Sequence, residues 1–147
     1  MGVDKQTMFR DYSGNQNIRK PDEFTIMQAK SDVPTLLPLT PRVLLILWSL
    51  ADGPQHGYRL LKIAEELGRG RVSIGPASLY ESITTLEKRG LIARAKAPRD
   101  ADREDARRRY FELTKRGIEL LRAEASRMNA LAKDLRAAGL VDAEEAL

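Results

Sequence analysis

The sequence predicts a mainly α-helical fold with one small β-hairpin, laid out as a winged helix-turn-helix and followed by a long C-terminal dimerisation helix. Three observations carry this. Residues 41–89 hold three helical segments, each with its own start and stop signals. Residues 91–113 hold two short strand-like stretches rich in cations around a turn-rich centre. Residues 114–138 hold a sustained apolar repeat of coiled-coil spacing.

Residues 1–38 are polar, are broken by Gly14, Pro21 and Pro34, and show no sustained period. They read as a flexible arm with one short helix around 23–29. Thr40 then supplies an N-cap and Pro41 suits the first helical position. The run Val43, Leu44, Ile46, Leu47, Trp48, Leu50, Ala51 makes the first helix apolar on most sides, until Asp52-Gly53-Pro54 stops it. The second helix spans 57–67, with Leu60, Leu61, Ala64 and Leu67 inward and Arg59, Lys62, Glu65 and Glu66 outward. A short extended piece, Val72-Ser73-Ile74, leads to the third helix, 76–89, with Gly90 positioned to end it. On that helix Leu79, Ser82, Ile83 and Leu86 share the inner stripe. Ala77, Glu81, Thr84 and Lys88 lie opposite, flanked by Ser78, Tyr80 and Thr85. Residues 91–97 and 107–113 are the paired strands of the hairpin. Thr114 caps the final helix, whose Ile118, Leu121, Ala125, Met128, Ala132 and Leu135 follow alternating steps of three and four. That heptad seam exceeds what one chain can bury, so a second copy is expected to cover it. The domain boundaries read from this pattern are arm 1–38, winged helix 39–113, dimerisation helix 114–138 and acidic tail 139–147.

Composition removes most chemistries. A chain of 147 residues, 42% hydrophobic and 31% charged, has material for one core and no run near the ~18–20 apolar residues of a membrane span. The opening residues lack a secretory pattern, so a cytoplasmic location with no membrane partner is expected. With no cysteine and a single histidine, His56, thiol catalysis, thiolate metal sites and histidine triads are not expected; neither is any cofactor or enzymatic activity. His56 reads as a turn residue at a helix start, and Tyr58 as closing the first turn of the second helix. The Gly68-x-Gly70 pair lacks the phosphate-loop spacing, and Asp100-x-Asp102-x-x-Asp105 lacks the calcium-loop glycine.

Charge points to a polyanion. The net charge of +4 conceals a basic body: residues 39–138 hold 20 basic and 13 acidic side chains, a net +7. The third helix offers short hydroxyls, Ser78, Thr84 and Thr85, with Tyr80 and Lys88, on the face a major groove would meet. Tyr80 has an equal reading as a ring packed sideways on the hairpin. Arg94, Lys96, Arg107, Arg108 and Arg109 line the hairpin stem, where they would reach phosphate, while the acids Asp100, Asp102, Glu104 and Asp105 are expected toward its tip. Double-stranded DNA with a pseudo-palindromic operator is the predicted partner of a homodimer, and a winged-helix protein–protein adaptor is the alternative. Trp48 belongs either to the core or to a cavity at the dimer centre, where its ring would stack on an aromatic effector.

The stretch from Leu39 to about residue 135 also resembles the PadR family of bacterial transcriptional regulators. The likeness lies in Leu39-Thr40-Pro41, His56-Gly57-Tyr58, Gly75-Pro76-x-Ser78-Leu79-Tyr80, Leu86-Glu87-x-x-Gly90-Leu91-Ile92 and Arg109-Tyr110-Phe111-x-Leu113-Thr114-x-x-Gly117. The resemblance implies a dimeric winged-helix repressor of the branch with a single C-terminal helix. It also implies relief of repression by a small aromatic or hydrophobic effector.

Overall fold

In the computed structural model, residues 33–142 are described. The expected short helix at 23–29, most of the arm and the end of the acidic tail lie outside them. Residues 33–38, read above as the end of the arm, contribute side chains to the edge of the core. Val33–Leu36 form a 3-10 turn, and Val33, Leu36 and Leu37 lie against the core. Their spacing of three and four puts these side chains on one side, which is why so short a turn can dock.

Helix α1, Pro41–Ser49, starts as its residues dictate: the Val43 N–H donates to Thr40 Oγ1 at 3.3 Å and Pro41 occupies the first turn. Leu45, Ile46 and Leu47 are buried, whereas Trp48 is 42% exposed. The helix is therefore less enclosed than its composition predicts. Strand β1, Gln55–His56, leads directly into α2, Gly57–Leu67. His56 caps that helix, its Nδ1 accepting the Arg59 N–H at 3.2 Å. Helix α3, Pro76–Lys88, buries Leu79, Ile83 and Leu86. It ends at Gly90, whose φ of +70° lets its N–H donate to Glu87 O while the Leu91 N–H donates to Leu86 O.

Strands β2, Ile92–Ala95, and β3, Tyr110–Leu113, pair antiparallel, with Ile92 opposite Leu113 and Ala95 opposite Tyr110. Both are shorter than the sequence pattern implies. At the start of β2, the Leu91 N–H still serves the helix end. Before β3, Asp105–Arg107 form a 3-10 turn that takes up Arg107, the first residue expected to be strand. The hairpin also gains a third member, since β1 pairs with β3 through His56 and Tyr110, giving the order β1-β3-β2.

Helix α4, Lys115–Ala137, has Thr114 as its N-cap, Oγ1 accepting the Gly117 N–H at 3.1 Å. The 23 residues make a rod of roughly 34 Å. Its first turn grips the end of α3. Thr114 Oγ1 donates to Gly90 O and an Arg116 guanidinium N–H donates to Arg89 O, both at 2.6 Å. Gly117 lies so close to the Leu91 carbonyl oxygen that a Cβ there would overlap it. Leu120 and Leu121 enter the core, and beyond Glu124 the helix projects from the domain.

Candidate nucleic-acid interface

The inner stripe of α3 is anchored by Leu79, Ile83 and Leu86, which turns Ala77, Glu81, Thr84 and Lys88 to solvent. Tyr80, Thr85 and Lys88 are exposed and Ser78 is half-buried, so the predicted reading residues share one outer surface. Thr84 Oγ1 donates to Tyr80 O at 2.9 Å and Thr85 Oγ1 to Glu81 O at 3.1 Å. Those internal bonds occupy the hydroxyl protons and leave oxygen lone pairs outward, available to base-edge donors. Tyr80 is 52% exposed and leans toward the start of α2. Its phenol lies over the Cα of Gly57, where any Cβ would meet the hydroxyl, so its ring registers α3 against the start of α2.

The hairpin sits beside this surface. Arg94, Lys96, Arg107, Arg108 and Arg109 are all exposed. The expectation that the acids keep to the tip fails for two of them. Arg108 Nε lies 3.0 Å from Asp105 Oδ1, and an Arg108 terminal nitrogen lies 3.9 Å from Glu104 Oε1, because the 3-10 turn folds both acids back toward the stem. Arg94 in turn lies 3.9 Å from Glu87 on α3. The Tyr58 ring carries Lys62 Nζ 4.7 Å from its centre and the Arg108 guanidinium 5.8 Å away, so Tyr58 joins α2 to the hairpin. His56 lies beneath, edge-on to the Tyr110 ring at 5.4 Å and 3.7 Å from Asp105 through Nε2. Burial, reinforced by the Arg108 charge, pushes the His56 imidazole below its ordinary value against the opposing pull of Asp105, so it caps α2 in the neutral form.

A model of the transcriptional regulator PadR-like family matches residues 46–123. The chain belongs to that family. The chain is also similar to an uncharacterized 37.1 kDa protein in transposon TN4556 of Streptomyces fradiae, 39% identical over 88 residues, covering 60% of this chain and 23% of that relative. The match thus spans less than a quarter of that relative's length. Among solved structures, a PadR family transcription regulator from Clostridium difficile R20291 superposes with a TM-score of 0.52 at 21% identity, covering 66% of this chain and 96% of that one. A mutant of S. aureus MepR gives 0.54 at 18% identity, covering 97% and 88%. Both likenesses are of fold.

In this PadR-like chain the six seam residues of α4 divide. Leu121 is buried by its own chain and Ile118 packs partly against the core, whereas Ala125, Met128 and Leu135 are exposed and Ala132 is half-buried. The seam's first heptad therefore belongs to the domain, and its remainder, joined by Leu131, lies mostly exposed on the projecting helix. Trp48 stands on the surface of α1 instead of in the core. Glu124 has no counterpart in the sequence reading. It is 1% exposed, receives two 2.8 Å bonds from Arg127 and accepts the Leu39 N–H, and the Arg127 hydrogen bonds hold its carboxyl below the usual carboxylate range. No described helix is long and apolar enough to cross a membrane.

Proposed function

We propose that this PadR-like regulator is a homodimeric, sequence-specific DNA-binding repressor. The carrying observation is the outer face of α3, polar, free of core duties and bordered by the cationic hairpin. In this reading α3 lies in the major groove, Ser78, Thr84, Thr85 and Lys88 meet base edges, and Tyr80 holds the helix at its angle. Arg94, Lys96, Arg107 and Arg109 meet phosphates, joined by Arg108 once a phosphate displaces its acids. Two copies joined along the distal part of α4, through Met128, Leu131 and Leu135, would present their α3 helices about one duplex turn apart, roughly 34–36 Å, to a pseudo-palindrome. The exposed Trp48 ring is the surface on which an aromatic or hydrophobic effector would stack to relieve repression.

Fluorescence anisotropy with the chain's own upstream DNA and a random duplex, across a salt series, tests the reading. Retention of the upstream fragment in excess of the random duplex is expected, with affinity falling steeply as salt rises. No binding at low salt would overturn it. Because Trp48 is the single tryptophan, quenching of its emission by a phenolic acid, together with release of bound DNA, tests the effector proposal directly.

A further inference from the structure

Helix α3 has two flanks, and the hairpin serves one of them. At 100° per residue, Tyr80 and Glu87 lie on one side of the outward strip, and Ser82, Thr85 and Arg89 lie on the other. The first side meets α2 and the hairpin, as the Tyr80–Gly57 approach and the Glu87–Arg94 pair show. The second side faces the N-terminal end of α1 across a groove of about 330 Å³ with a largely apolar lining, whose polar members include Thr40 and Arg42 at the start of α1 and Glu81, Thr85 and Arg89 on and just after α3. Arg42 and Arg89 are exposed, and among the described residues neither forms an ion pair. That sets them apart from Arg94 and Arg108, which the fold engages with acids. The Arg89 carbonyl accepts from Arg116, and among the described residues no ion pair engages its guanidinium.

A major groove about 12 Å wide receiving a helix of about 10–12 Å brings a phosphate strand against each flank of that helix. The hairpin cations answer one strand. Resting on the DNA-binding reading above, we infer that Arg42 and Arg89 form a second phosphate-binding site, for the strand on the opposite wall of the same major groove. The acid among these lining residues, Glu81, belongs to the outward strip, where in this reading it meets base edges and its carboxylate accepts from a cytosine amino group. The wall itself is left to the two cations. The site supplies position and affinity without reading sequence, since phosphates are the same at every step.

Phosphate-ethylation interference on the upstream fragment bound by the full chain tests this, combined with salt titration of the wild type, Arg42→Ala/Arg89→Ala and Arg107→Ala/Arg109→Ala. The wild type should show two groups of sensitive phosphates per half-site, one on each strand bordering the groove. Arg42→Ala/Arg89→Ala should lose one group, lower the salt slope of the bound dimer by about 4, two contacts in each half-site, and weaken upstream and random duplexes by the same factor. Arg107→Ala/Arg109→Ala should lose the other group. An Arg42→Ala/Arg89→Ala variant that keeps both groups and the full slope overturns the inference, while loss of a group in the hairpin variant still upholds the DNA-binding reading. A wild type that binds no duplex overturns both. All four side chains are exposed, so unchanged melting temperatures are expected, and Arg42→Gln/Arg89→Gln should reproduce the loss of slope.

Discussion

Gly117 and His56 show what single positions contribute to this fold. A methyl at Gly117 would overlap the Leu91 carbonyl, a backbone atom that cannot swing away, and would part α4 from β2. Gly117→Ala should cost about 3 kcal/mol or more in chemical denaturation. Gly57→Ala, which meets the outer end of the Tyr80 ring and no backbone atom, should cost less. For His56, burial is the largest cause of a folded value below the unfolded 6.5, so the unfolded chain binds a proton first. The stability that follows is complete above pH 6.5 and is lost as pH falls through the folded value; a protonated Nδ1 can no longer accept the Arg59 N–H. His56→Asn keeps a capping oxygen and should flatten that part of the pH–stability curve, read from melting temperatures between pH 5 and 8. The roles of Thr40, Thr114 and Pro41 were legible because caps are local chemistry. Glu124 was not, for it looks like any solvated helix carboxylate until the Leu39 segment lies across it.

Among the elements, helices α2 and α3 follow their sequence periods closely, because three- and four-residue spacing leaves a strong apolar stripe. The sheet was harder to read. Two residues of β1 have no period at all, and the start expected for β3 is diverted into a 3-10 turn whose Asp105 N–H donates to Asp102 Oδ1 at 2.8 Å. That turn has an energetic effect on the hairpin, since Glu104 and Asp105 engage the Arg108 cation that DNA would want. Asp105→Asn should release it. The expected outcome is tighter binding to a random duplex and a salt slope steeper by about 2 for the dimer, one Arg108 in each copy, measured by anisotropy. An unchanged slope would mean that Arg108 stays out of reach of phosphate even when free.

For the whole molecule, the apolar repeat of α4 was visible at once, but how it is shared between the chain's own core and a partner was not. Spacing alone cannot tell Leu121, buried at home, from Met128 and Leu131, which are 45% and 49% exposed. Met128→Glu should therefore give a folded monomer by sedimentation at micromolar concentration, with Leu121→Glu giving an unfolded chain instead. A wild type already monomeric there would remove the paired assembly. The clamp between the first turn of α4 and the end of α3 has a mechanical consequence. Through Thr114, Arg116 and Gly117 the rod is fastened to residues 89–91 at the end of α3, so a tilt of one is passed to the other. A swing of about 5° at that pivot sweeps the far end of a lever of about 34 Å by roughly 3 Å. In the proposed dimer, whatever wedges or draws together the two levers far from the DNA would reset the gauge between the two α3 helices, like the jaws of calipers moved from their handles.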